Sequence, residues 1–331
     1  MSCSHRLSTL AWLVRDTFRQ SLASGICWLL LGLSTLCIVV CLSISTSGAM
    51  SLERPGETSD FLPRFDPDAG NAEKLKQSGV VVADGRLRLA FGAIEVPLGR
   101  DTRSAVHFLE LLLAGGVADT LGLLLALVWT AGFLPQFLDP RSISVLLAKP
   151  APRWCLLLGK YLGVLAFVAA HASLFVGGTW LAIGLKTGVW DGLYLLSVPL
   201  LLLHFSIFFG FSLLLAVCTR STVSCVFGSI AFWAICWGMN YGRHLAAGTS
   251  LGPDTELSPP LQWLVEAGYW ILPKPADLGM VLYDALGARD HFSPLFADPA
   301  LFSFGLSIAT SLVFTGYLLW AAARQFAATD Y

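Results

Sequence analysis

Asp119, His171 and His204 stand inside otherwise apolar runs, and Glu110 stands at the edge of one. An ionisable side chain in such surroundings is costly, and it marks either a functional position or a polar packing contact. Glu110 and Asp119 are nine residues apart and so face nearly opposite ways on an ideal helix, which rules them out as a general acid/base pair. Gly115, Asp119 and Gly122 share one helical face, placing the carboxylate on a small-residue surface that suits close helix packing, with a hydroxyl or amide partner across it. A transport-path role and a packing role for Asp119 both remain open. His171 and His204 have no carboxylate or thiol at ligand-like spacing in their own runs and read as hydrogen-bonded interior histidines. Cys218, Cys225 and Cys236 form no metal-site pattern, and Ser221, Ser224 and Ser229 lack a histidine nearby in sequence. Neither a catalytic residue nor a metal site is expected.

The elements that must position these groups are membrane helices. Of 331 residues, 55% are hydrophobic and only 13% charged, too apolar a balance for an ordinary soluble globule. Six apolar runs are long enough to cross a bilayer, at roughly 22–45, 112–134, 155–185, 193–217, 222–241 and 300–323. The third is overlong and is expected to tilt or extend beyond the hydrocarbon. A secretory signal is excluded at the first run, because a long leader precedes it and the run itself is long enough to span. Residues 5–20 read as an amphipathic helix in the membrane interface, with Leu7, Leu10, Val14 and Phe18 on one face and Arg6, Arg15 and Arg19 available to lipid headgroups.

The fold class expected is therefore an all-α integral membrane protein: six transmembrane helices, an N-terminal interfacial helix, a cytoplasmic coupling helix and a small β-containing outer loop. Segments 1–46, 107–241 and 300–331 carry the spans, and 47–106 and 242–299 lie outside. Within the first outer segment, strands at 80–83 and 86–89 flank Asp84-Gly85, a favoured two-residue hairpin turn, and a further strand is expected at 93–97. Within the second, the apolar stretch 261–272 with Trp263, Tyr269 and Trp270 is too short to span and reads as interfacial. An even number of spans puts both termini on one side. The segments assigned to the cytoplasm carry nine basic against three acidic residues, which fits the positive-inside tendency and points to a multi-pass protein of the cytoplasmic (inner) membrane. The eight cysteines avoid both outer segments, so no disulfide framework is expected, and a net charge of −1 argues against nucleic acid as a partner.

Between the second and third runs lies a polar elbow, 137–163. Asp139 is a good N-cap, Pro140 suits the first helical position, and Lys149 stands in the last turn before Pro150, giving a short helix over 139–149. Ile143, Leu146 and Leu147 fall on one face of it, which can lie against an apolar partner surface.

This block, with Leu146 and Leu147 followed by Pro150 and Arg153 and then by Gly159 and Lys160, resembles the elbow linking the second and third spans in permease subunits of ABC-2 type transporters. The layout of interfacial helix and six spans is similar along nearly the whole chain. The resemblance implies a permease subunit that forms the translocation path as a homodimer or heterodimer of permease chains among membrane lipids. It also implies a cytoplasmic ABC ATPase subunit on another chain, which binds ATP and Mg, no cofactor being bound by this chain. Asp139, Arg141, Lys149 and Arg153, with the face of Ile143, Leu146 and Leu147, are then the residues expected to couple to that ATPase. The sequence contains no G-x-x-x-x-G-K-[ST] phosphate loop; Lys186-Thr187 has no glycine immediately before it. The alternatives are a membrane-embedded enzyme, which requires Asp119, His171 and His204 to converge, and a scaffold or assembly factor with an extracytoplasmic binding loop.

Overall fold

The computed structural model describes residues 3–47, 50–52, 81–83, 85–89, 92–98, 102–139, 152–247, 258–285 and 304–329. The protein is an all-α membrane protein with six helical spans long and apolar enough to cross a bilayer: Gly25–Ser43, Val106–Phe137, Arg153–Thr187, Gly192–Thr219, Thr222–His244 and Phe304–Ala328. The third, at 35 residues, is about 52 Å long at 1.5 Å per residue and exceeds the hydrocarbon thickness of about 30 Å. Two compact units divide the chain, one of residues 1–35, 110–178 and 192–331, the other of residues 36–109 and 179–191.

The larger unit is built around α7 (Ser197–Thr219), whose apolar side chains run all round the helix, so that it is covered by neighbours rather than by lipid on one side. Its Phe205 and Phe209 rings stack at 5.2 Å, and Tyr161 stacks on Phe209 at 5.5 Å. The helix ends at Arg220 in the left-handed region (φ 54°), its N–H bonded to the Ala216 carbonyl. Ser221 then opens α8 (Thr222–Ala247) by accepting the Ser224 N–H with its hydroxyl, a cap. The last span, α11 (Phe304–Ala328), packs along α7, where Phe314 stacks on Phe232 of α8 at 5.8 Å.

Before the core comes α1 (Cys3–Leu22), which turns at Ala23-Ser24 into α2 (Gly25–Ser43). Of the expected apolar face, Phe18 meets Phe167 of α6 (Arg153–Thr187) edge-on at 5.0 Å, and beside that face Leu13, Thr17 and Ser21 are buried at spacings of four. A Cβ on Gly163 would stand 2.7 Å from Thr17 Oγ1, so glycine is what lets α1 approach α6.

The second span is not a uniform α-helix. From α3 (Thr102–Leu111) it widens into a π-helical stretch, Leu112–Gly122, before α4 (Leu123–Thr130) and a short α5 (Phe133–Phe137). Such i to i+5 bonding is rare at this length and recurs at functional sites. After α8, α9 (Pro259–Ile271) and α10 (Pro275–Ala285) form a pair of short helices packed on α8.

The smaller unit contains short strands β1 (Ser45–Ser47), β2 (Met50–Leu52), β3 (Val81–Ala83), β4 (Gly85–Leu89) and β5 (Ile94–Leu98). The hairpin expected at Asp84-Gly85 is not the one formed. β3 pairs with β2, while β4 is the middle strand of a sheet ordered β1-β4-β5. Pairing with strands from before residue 53 outweighs the local turn preference, and the hairpin is β4–β5, with Leu89 opposite Ile94. In the same unit Gly188 (φ +73°) ends α6 with its N–H on the Gly184 carbonyl, and Trp190 folds back over Gly184, where a Cβ would lie 2.5 Å from the ring. The 184–187 stretch is thus a helix end covered by an indole.

Candidate functional site

The π-helical stretch turns Gly115, Gly116, Asp119 and Thr120 to one side, where they line a cavity of about 310 Å³. Thr120 Oγ1 donates to the Gly115 carbonyl five residues back, the spacing that the wider helix makes available. This replaces the expected face of Gly115, Asp119 and Gly122, which assumed α-helical geometry. Asp119 has a partner, though not a hydroxyl or amide: Oδ1 lies 2.5 Å from His204 Nδ1 on α7. A carboxylate only accepts, so Nδ1 carries the proton. His204 is 4% exposed, and its Nε2 is buried with no partner among the described residues.

Trp233, Trp237 and Tyr241 follow one another at i, i+4 and i+8 on α8 and line the same cavity, Trp237 stacking on Tyr241 at 4.8 Å. Pro275, Gly279 and Met280 of α10 complete the wall. The aromatic stripe escaped sequence reading because the run carrying it is apolar all along; the i, i+4, i+8 spacing was its available signal.

What holds α10 against that cavity is a buried polar network. Pro275 at the first helical position has no N–H to satisfy, and the next two N–H groups, of Ala276 and Asp277, both donate to Asn240 Oδ1 of α8 at 2.8 and 3.1 Å. Asn240 Nδ2 returns a bond to Asp277 Oδ1 at 2.9 Å, and His244 Nε2 donates to the same oxygen at 2.6 Å. Tyr269 of α9 and Ser307 of α11 donate to Oδ2 at 2.9 and 3.2 Å. Asp277 is fully buried. Burial pushes its carboxyl pKa up, but the bonds from His244, Asn240 and Tyr269 outweigh this and hold it below the ordinary value. Lys274, also fully buried, bonds Thr310 Oγ1 at 3.2 Å and lies over the Tyr269 ring; burial lowers its pKa, with Asp277 opposing. Burial and the neighbouring carboxylate raise the Tyr269 pKa, so the phenol stays a donor.

His171 is elsewhere in hydrogen bonding: its Nε2 pairs with Ser34 of α2 at 3.1 Å. The structure therefore does not gather Asp119, His171 and His204 into one hydrogen-bonded group. Of the elbow, Arg141, Ile143, Leu146, Leu147 and Lys149 lie outside the described residues, as does the expected 139–149 helix beyond its first position. Asp139 is exposed at the end of the second span. Arg153 Nη1 donates to the Ala327 and Thr329 carbonyls at 3.2 and 2.9 Å, capping the last helix. Lys160, 2% exposed, donates to Gln20 Oε1 at 2.6 Å, with Asp16 at 3.7 Å and the Phe133 and Phe137 rings near 6 Å. Gln20 in turn donates to Gln136 at 2.9 Å, so α1, α5 and α6 are tied at one knot beside the elbow.

A family profile described as an ABC-2 family transporter protein matches residues 11–323. A comparison with curated proteins finds no match. That profile covers nearly the full length of a chain with six helices long and apolar enough to span, and the chain belongs to the ABC-2 transporter family.

Proposed function

We propose that the chain is the membrane-spanning permease subunit of an ABC transporter in the cytoplasmic membrane, driven by ATP hydrolysis on a separate subunit. The observation that carries this is the family match over residues 11–323 in a chain of six spans. The lack of a phosphate-loop motif in the sequence supports ATP and Mg being held by a partner ATPase. The excess of basic residues around the elbow and both ends supports a cytoplasmic face there. On this reading the 139–149 segment receives the ATPase, with Asp139, Arg141, Ile143, Leu146, Leu147 and Lys149 at the contact. Arg153 and Lys160 then join that segment to the last helix and to α1. Two permease chains enclose the path, and Asp119 stands on it.

The test is purification of the tagged chain in mild detergent. An ATPase with a phosphate loop should accompany it, and Arg141→Glu should release that ATPase while the chain stays in the membrane. A chain that brings down no such ATPase, from cells in which it is functional, would remove the reading's main support.

A further inference from the structure

The cavity at Asp119 has a chemical character that specifies its ligand more closely than transport in general. Among the described residues Asp119 makes one side-chain hydrogen bond, from Oδ1 to His204. His204 Nε2 is buried with no hydrogen-bond partner among the described residues. Among the described residues the cavity is lined by the Asp119 carboxylate and by no Lys or Arg. The same cavity is lined by Trp233, Trp237 and Tyr241, and the π face of an aromatic ring attracts cations within about 6 Å. Gly116 and Gly279 also line it, and a Cβ on either would meet nothing within 4 Å among the described residues. At about 310 Å³ the space is at the small end of ligand pockets, enough for an ammonium group with one apolar or aromatic substituent.

We propose that this cavity binds organic cations, an ammonium group set between the Asp119 carboxylate and the aromatic stripe of α8. The inference rests on the permease reading and names the class of its cargo. The cation can be free or can be the headgroup of a zwitterionic lipid, and the recognising chemistry is the same.

The experiment is equilibrium binding to the full chain in an uncharged maltoside detergent, with no ATPase present, by calorimetric titration. Three probes are used: benzyltrimethylammonium, its neutral isostere neopentylbenzene, and dihexanoylphosphatidylcholine. Benzyltrimethylammonium should bind and the neutral isostere should not. Asp119→Asn should weaken binding at least about tenfold, and Trp237→Ala about 3- to 30-fold. Gly279→Leu should abolish binding by filling space that is open in the structure, and it gives a second reading should Asp119→Asn fold poorly. Competition by the phosphatidylcholine, lost in Asp119→Asn, assigns the lipid headgroup; absence of competition assigns a free cation. Equal binding of the neutral isostere, no binding of the cation, or binding unchanged in both Asp119→Asn and Gly279→Leu overturns the proposal. Such a failure leaves the ATPase co-purification unaffected, so the ligand class and the permease reading fail separately.

Discussion

Asn240→Ala tests how α10 is held against the cavity. Asn240 is 1% exposed and does three things at once: its oxygen satisfies the first two N–H groups of α10, and its amide N–H supports the buried Asp277 carboxylate. Truncation leaves one buried and one part-buried N–H group unpaired, at up to about 1–3 kcal/mol each, and removes one hydrogen bond to a charged group worth about 1.5–3 kcal/mol. Water entry offsets part of this, so about 4 kcal/mol is the working figure. At about 2–4 °C per kcal/mol for a unit of this size, the melting point should fall by roughly 8–16 °C. The assay is thermal exposure of thiols to a fluorogenic maleimide. Cys225 and Cys236 on α8 are buried and report unfolding, while the exposed Cys218 reacts at the outset and serves as the reference. Asn240→Ala combined with Asp277→Ala should cost less than the two alone, because both act through one network. A melting point within about 2 °C of the unsubstituted chain, or strict additivity with Asp277→Ala, would refute the view that Asn240 caps α10 from α8.

Acidification should loosen the α9–α10 pair only below the ordinary carboxylate value of 3.8, because the folded Asp277 pKa is depressed. Its stabilising contribution is present above the unfolded value and is lost as pH falls through the lower folded one, which indole emission between pH 6 and 2 should follow. Gly163→Leu should separate α1 from α6, since a Cβ there meets Thr17 Oγ1 at 2.7 Å; proteolysis of residues before Ser24 should speed up with the rest of the fold retained. Arg153→Ala should fray the end of α11, costing about 1.5–3 kcal/mol locally for the lost bonds to the Ala327 and Thr329 carbonyls, and hydrogen exchange at 325–329 should rise while that of α7 does not. Gly184→Ala should displace Trp190 and expose its indole to quencher, at a cost of about 1–3 kcal/mol for overpacking.

The six spans were legible because long apolar runs have few other uses, and Asp119 was legible because a carboxylate inside such a run is expensive. Its partner was not. His204 is 85 residues away, and nothing in either run encodes the pairing. The face around Asp119 was misassigned because sequence periodicity presumes 3.6 residues per turn, whereas Leu112–Gly122 is wider. The Asp277 network was not legible, because Asp277 lies in the outer segment 242–299 while its partners Asn240 and Ser307 come from two different spans. The signature was nonetheless there: Pro275 at a helix start with Asp277 in the first turn. The hairpin at Asp84-Gly85 failed for the opposite reason, a strong local signal overridden by partners distant in sequence.

The π-helical stretch also sets how the second span responds to a change in its length. A stretch bonded i to i+5 holds residues in surplus over the α pattern, so a single deletion within 112–118 can be absorbed by tightening, with α4 left in place. The same deletion inside α4 or α7 has no such reserve and must rotate everything beyond it by about 100°. The span is therefore tolerant of shortening at the one place where shortening re-aims a carboxylate, and a variant lacking one residue there would keep its fold while the acid and the imidazole no longer face each other.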